Sequence, residues 1–181
     1  MFSSCSKYVN YKSFILKTEK LNQNVLLKAG FYYSIDTKKG FDHDSVEKSY
    51  ELYFFYDDGT FGSSCYRGNN IESFGKKLSA DSNFRGGIKL KMDKFKEWGK
   101  YQITDNHLLI QSFELYSEIK YSLYEHIGTL TSDTSLIITK AGFYPTKNNM
   151  GSEIELKKPI VFKFYQCLAC KPDSTNWLQK K

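Results

Sequence analysis

The sequence predicts an all-β fold: an antiparallel meander of about eight or nine strands that closes into a barrel or sandwich, behind a short N-terminal tether. Three observations lead there. Apolar and polar residues alternate with period two over several short stretches, the signature of half-buried strands. Turn chemistry separates these stretches at short intervals, and short connections force antiparallel neighbours. Aromatic residues make up 17% of the chain, with 14 Tyr and 14 Phe, which suits a pleated surface. A meander of this length leaves edge strands exposed unless it closes on itself.

The elements follow in order. Residues 1–23 are polar and lysine-rich and read as a tether; residues 24–181 read as one domain of ordinary size. Val25-Leu26-Leu27 leads through Gly30 into a strand at Phe31-Tyr32-Tyr33-Ser34-Ile35, and Asp36–Asp44 reads as a polar loop. The clearest unit is 48–66. Tyr50, Leu52, Phe54 and Tyr56 share one face and Glu51, Tyr53 and Phe55 the other, before Asp57-Asp58-Gly59-Thr60 turns the chain. Residues 67–96 carry four glycines and many lysines, and read as an excursion over one barrel end, with a short strand at Ile88, Leu90 and Met92. Alternation resumes with hairpins over 98–115 and 119–140, turning at Asp105-Asn106 and Ser132-Asp133. A polar loop at 145–158 precedes a last strand at 160–165.

Parity puts Trp98 on the Lys100 face, away from Gly99, Tyr101 and Ile103. An indole is costly to leave in water, so a bend at Gly99 is expected to turn Trp98 over the barrel end as a packing anchor.

The charge pattern narrows the function classes. The net charge is +6, yet Arg67 and Arg85 are the only arginines among 26 basic residues. Base reading and phosphate clamping lean on arginine's planar fork, so scattered lysines point to a solvated surface and away from nucleic acid. No apolar run approaches the ~18 residues of a membrane helix. There is no Gly-rich phosphate loop, no H-E-x-x-H and no G-x-S-x-G, so neither a cofactor nor an enzymatic site is indicated. Asp42-His43-Asp44 reads as a solvated loop with no metal role, and His107 and His126 read as barrel-wall residues. Cys167-x-x-Cys170 lacks the second ligand pair of a zinc site and the βαβ context of a redox motif. A local disulfide, a bridge to Cys65 and free thiols all stay open. Tyr53, Phe55, Tyr101, Phe113, Tyr121 and Tyr124 supply aromatic surface for a core or for a ligand cavity.

Trp98-Gly99-Lys100-Tyr101-Gln102-Ile103 with Leu108-Leu109-Ile110-Gln111, Phe55-Tyr56-Asp57-Asp58-Gly59-Thr60-Phe61, Gly128-Thr129-Leu130 with Asp133-Thr134, and the tail Lys171-Pro172-Asp173-Ser174-Thr175-Asn176 carry a resemblance. Over roughly residues 25–177 the chain resembles uncharacterised exported lipoproteins of Bacteroidetes-type bacteria, which look like lipocalin-type (calycin-like) barrels. Gly30-Phe31-Tyr32 sits where lipocalins carry Gly-x-Trp, but the tryptophan is absent. The resemblance implies a barrel of the bacterial cell envelope, facing the periplasm or the cell surface. It gives Phe2-Ser3-Ser4-Cys5 the look of a lipoprotein signal's end, with an apolar stretch upstream and a membrane-anchoring lipid on Cys5. The expected function is non-enzymatic binding of a small apolar ligand or an envelope protein; a structural or accessory protein with a filled core is the alternative, and a nucleic-acid-binding barrel comes third.

Overall fold

The computed structural model describes residues 16, 29–39, 46–95, 97–117, 120–132, 134–144 and 152–172. Eight antiparallel strands run in chain order around a closed barrel. They are β1 (Gly30–Lys39), β2 (Val46–Phe55), β3 (Thr60–Arg67), β4 (Trp98–Thr104), β5 (His107–Ser117), β6 (Lys120–Ser132), β7 (Ser135–Phe143) and β8 (Ser152–Gln166). Two helices, α1 (Ile71–Ala80) and α2 (Ser82–Phe95), interrupt the meander between β3 and β4. Cys5, Val25-Leu26-Leu27 and Asp42-His43-Asp44 lie outside the described residues.

Closure depends on β8 returning to β1, with Gly30 opposite Gln166 and Tyr32 opposite Phe164. A Cβ on Gly30 would run into the Tyr165 carbonyl oxygen and the Phe164 ring. The carbonyl belongs to the backbone and cannot swing away. Gly30→Ala should therefore destabilise the barrel by roughly 1–3 kcal/mol, the usual range for overpacking. Urea unfolding of the variant checks this, and a midpoint equal to the wild type's would show that the seam yields freely.

The hairpins expected from alternation are present. In β2–β3 the pairs run from Phe55 opposite Phe61 to Ser49 opposite Arg67. Gly59 takes φ 76° at the turn. Asp58 Oδ1 accepts from the Thr60 backbone N–H at 2.9 Å and from its hydroxyl at 2.6 Å. The β4–β5 and β6–β7 hairpins follow the same logic. β1 continues to Lys39 and takes in the first four residues, 36–39, of the expected polar loop.

Residues 67–96 depart from expectation. They form two helices on the outer side of the barrel wall, and Ile88, Leu90 and Met92 lie within α2 rather than in a strand. Phe84, Ile88 and Met92 recur at intervals of four and face the wall, while Leu90 points to solvent. The Asn70 side chain caps α1 by accepting from Ser73 N at 2.7 Å, and Asp81 Oδ1 accepts from Phe84 N at 3.0 Å at the start of α2.

These helices explain why β2 is apolar on both faces. Tyr53 and Phe55 point inward to Phe61, Tyr101 and Phe162. Tyr50, Leu52 and Phe54 point outward and are covered by Ile71, Phe74 and Leu78 of α1. Phe74 stacks on Tyr66 with ring centroids 4.4 Å apart and meets Phe31 edge-on at 5.9 Å. The tail Cys167–Pro172 joins this outer layer: Ser79 Oγ donates to the Leu168 carbonyl, and Tyr56 Oη to that of Pro172. A disulfide links Cys167 to Cys170, while Cys65 is free and exposed.

Trp98 corrects the expected bend. The register stays regular, with Gly62 opposite Trp98 and Gly99 opposite Ser112. The indole keeps the outward face that parity assigns, and Met92 of α2 buries it completely there.

Candidate functional site

The barrel interior divides into two halves. One end gathers the tight turns at 57–59 and 105–106, the end of the β6–β7 hairpin where Ser132 pairs with Ser135, and the β1–β8 seam. Its interior is filled by aromatic and aliphatic side chains. Tyr53 stacks on Phe162 at 4.2 Å, Phe55 meets Tyr101 edge-on at 4.8 Å, and Tyr101 Oη donates to the Tyr56 carbonyl at 2.8 Å. Apolar rings fill that half because every second residue of β1–β5 and β8 there is large.

The pattern changes in the other half. The inward positions beyond Tyr32 and Tyr53 are Ser34, which pairs with Glu51, and Ser49; beyond Phe61 on β3 they are Ser63 and Cys65. A cavity of about 310 Å³ lies beside Ser34, Ser49, Glu51, Ser63, Cys65 and Glu97, and also touches Ser64. Smaller side chains on these strands leave the space that rings occupy at the other end.

The β3–β4 seam contributes to the cavity. These strands pair over three positions only, from Thr60 opposite Lys100 to Gly62 opposite Trp98. Beyond that point Ser63 N donates to the Glu97 carbonyl at 2.8 Å, and Lys91 of α2 donates to the Cys65 carbonyl at 3.2 Å. α2 thus lies beside β3 where its pairing with β4 ends.

On the inward face of β5 stand Ile110, Ser112 and Glu114, and on that of β6 Tyr124 and His126. Ser112 is 3% exposed, and its hydroxyl has no hydrogen-bond partner among the described residues. The same holds for Glu97 Oε2 and His126 Nδ1. Buried polar atoms without partners are uncommon, since each forfeits hydration without recovering a bond.

Burial and mutual repulsion shape the charges. Desolvation pushes the Glu97 carboxyl up to about 7; Lys91 draws it down and Glu114 adds to the rise. Partial desolvation, then the charge of Glu51, raises Glu114 above the usual carboxylate range, although its side chain keeps contact with solvent. Tyr53 is held well above its ordinary value by burial and by the charge and hydrogen bond of Glu51. Tyr124 is raised by desolvation, Glu114 and Glu51. Burial pushes His126 down to about 4, so it is a neutral imidazole near pH 7.

The residues singled out by their aromatic character are thus spread over distinct environments. Tyr53, Phe55 and Tyr101 belong to the packed interior cluster. Tyr124 faces the interior beside His126, with ring centroids 5.1 Å apart. Phe113 lies on the outer face of β5, opposite Leu123. Tyr121 sits on β6 opposite Leu115, and its side chain lies outside the described residues. Sequence reasoning did not single out Glu51, Glu97, Ser112 or Glu114. The available signal was the break in apolar alternation at Ser34, Glu51, Ser63, Ser112 and Glu114, polar residues at inward parity.

No protein family, curated protein or solved structure matches this chain.

Proposed function

We propose that this protein is a small-ligand-binding barrel, lipocalin-like in architecture, anchored to the bacterial cell envelope through a lipid on Cys5. The observation that carries the reading is the cavity of about 310 Å³ beside inward-facing polar residues. That volume falls at the lower end of the range for small-molecule sites. The ligand supported best is amphipathic. Its polar part meets the serines and carboxylates beside the cavity, and its apolar part points towards the aromatic half of the interior.

A second reading is an accessory envelope protein with a filled core and no ligand. It draws on the close packing of Tyr53, Phe55, Tyr101 and Phe162 at the turn end. Native mass spectrometry of protein purified from its own host separates the two. The expected spectrum carries acyl mass on Cys5 and a further small mass that dissociates on mild activation. A spectrum without that second mass in protein never exposed to denaturant favours the filled core; a Cys5 without acyl mass removes the anchor.

A further inference from the structure

Resting on that ligand-binding reading, we infer that the ligand's polar head is an organic ammonium group, held by Glu97, Glu114 and the Ser112 hydroxyl. β4 and β5 pair Gly99 with Ser112 and Lys100 with Gln111. Continued by two residues past Gly99, the same register brings Glu97 level with Glu114, both at inward parity. Like charges directly opposite on neighbouring strands destabilise a sheet. Two carboxylates in that relation favour a positive group between them, above all for Glu97, since Glu114 keeps contact with solvent. Lys91 is the described cation whose charge reaches Glu97, but its ammonium donates to Cys65 O and Sγ at 3.2 and 3.3 Å. Glu97 Oε2 remains buried and without a partner.

Ser112 stands on the same inward face of β5 as Glu114. Its hydroxyl faces the same interior, one inward position before Glu114 on β5 and opposite Gly99, the inward position after Glu97. An ammonium group carries three N–H donors, and Glu97, Glu114 and Ser112 offer three acceptors. The other groups facing this space are Glu51 and Tyr53 from β2, Ser63 and Cys65 from β3, and Tyr124 and His126 from β6. Glu51 adds negative charge, and His126 adds no positive charge near neutral pH. Tyr53 and Tyr124 bring aromatic faces that also attract cations. Among the described residues no three His, Cys, Asp or Glu side chains converge tightly enough to hold a metal ion.

The test is isothermal titration of the full chain with 2-phenylethylamine, 2-phenylethanol and phenylacetate. The expected order is amine first, with alcohol and acid at least about tenfold weaker, since charge-assisted hydrogen bonds exceed neutral ones. Because Glu97 must ionise, amine affinity should rise about tenfold from pH 6 to pH 8, as expected for a group titrating at about 7. Glu97→Gln should abolish that pH dependence and weaken the amine about tenfold while leaving the alcohol unchanged. Glu114→Gln serves as a second variant for amine affinity. Equal binding of amine and alcohol, or tighter binding of the acid, overturns the ammonium assignment and leaves the ligand-binding barrel standing. Binding of none of the three overturns the assignment, and with the retained mass also missing from host protein the ligand-binding reading falls too.

Discussion

Trp98→Ala should melt roughly 6–20 °C below the wild type, a loss of about 3–5 kcal/mol. Trp98 is completely buried although it points out of the barrel. Its indole lies beside Met92 and Tyr56 in the outer layer, with the Tyr56 ring centroid 5.6 Å away. Nε1 donates to Asp93 Oδ1 at 2.8 Å, so one side chain fastens the end of α2 to the first residue of β4. Truncation opens a large void, leaves Asp93 with its Lys89 ion pair but without the indole N–H, and loosens the hold of α2 on the barrel wall. Circular dichroism melts of Trp98→Ala and Trp98→Phe measure the effect, and the phenylalanine variant should recover part of it by restoring apolar volume. A Trp98→Ala protein that melts like the wild type would show that α2 does not depend on this anchor.

Two desolvated groups should tilt stability in opposite directions with pH, and single substitutions should expose each tilt. Glu97 ordinarily titrates at 4.5 and does so at about 7 in the fold, so between those values the folded state holds a proton that the unfolded chain has released. Its contribution to stability therefore falls as pH rises through that window. His126 moves from 6.5 down to about 4, so there the unfolded chain holds the extra proton, and stability is lost as pH falls. From pH 4.5 to 6.5 the two slopes oppose and the wild-type profile should be shallow. Glu97→Gln should leave stability near pH 4 unchanged and raise it at pH 8 by about 1–2 kcal/mol, a figure reduced for the carboxylate's partial exposure. His126→Phe should remove the acid-side loss, worth up to about 3 kcal/mol at pH 4, and leave a profile that declines towards neutral pH. Guanidinium unfolding from pH 4 to pH 8 reads both, and variant profiles running parallel to the wild type's would sink the assignment.

The hairpins were legible because their causes are local. Tyr50 to Tyr56 alternate along one strand, and Asp58 and Gly59 bring both the side-chain bond and the positive φ that the turn needs. Closure was legible indirectly, through the cost of leaving edges in a long meander. The helices were harder to see. Gly75, Gly86 and Gly87 weaken helix propensity, and Ile88, Leu90 and Met92 imitate a strand at period two. One clue pointed to an outer layer: Leu52 and Phe54 face away from Tyr53 and Phe55, and a strand apolar on both sides must be covered on both.

Alternation and turn chemistry act over a few residues, so the sequence alone established the hairpins and their antiparallel order. It left barrel or sandwich open, pointed to a strand at 88–92 where a helix forms, and pointed to a loop at 152–158 where β8 starts. Parity placed Trp98 on the outward face, and the bend at Gly99 expected to override it does not occur. What covers that tryptophan was decided by tertiary packing, when α1 and α2 laid their apolar faces on β1–β3. The polar half of the interior was decided there as well. Ser34, Glu51, Glu97, Ser112, Glu114 and His126 come from five strands or their flanks, and nothing in their spacing links them. Inter-strand register and barrel closure bring them to one space, and both arise from pairing between segments distant in the chain.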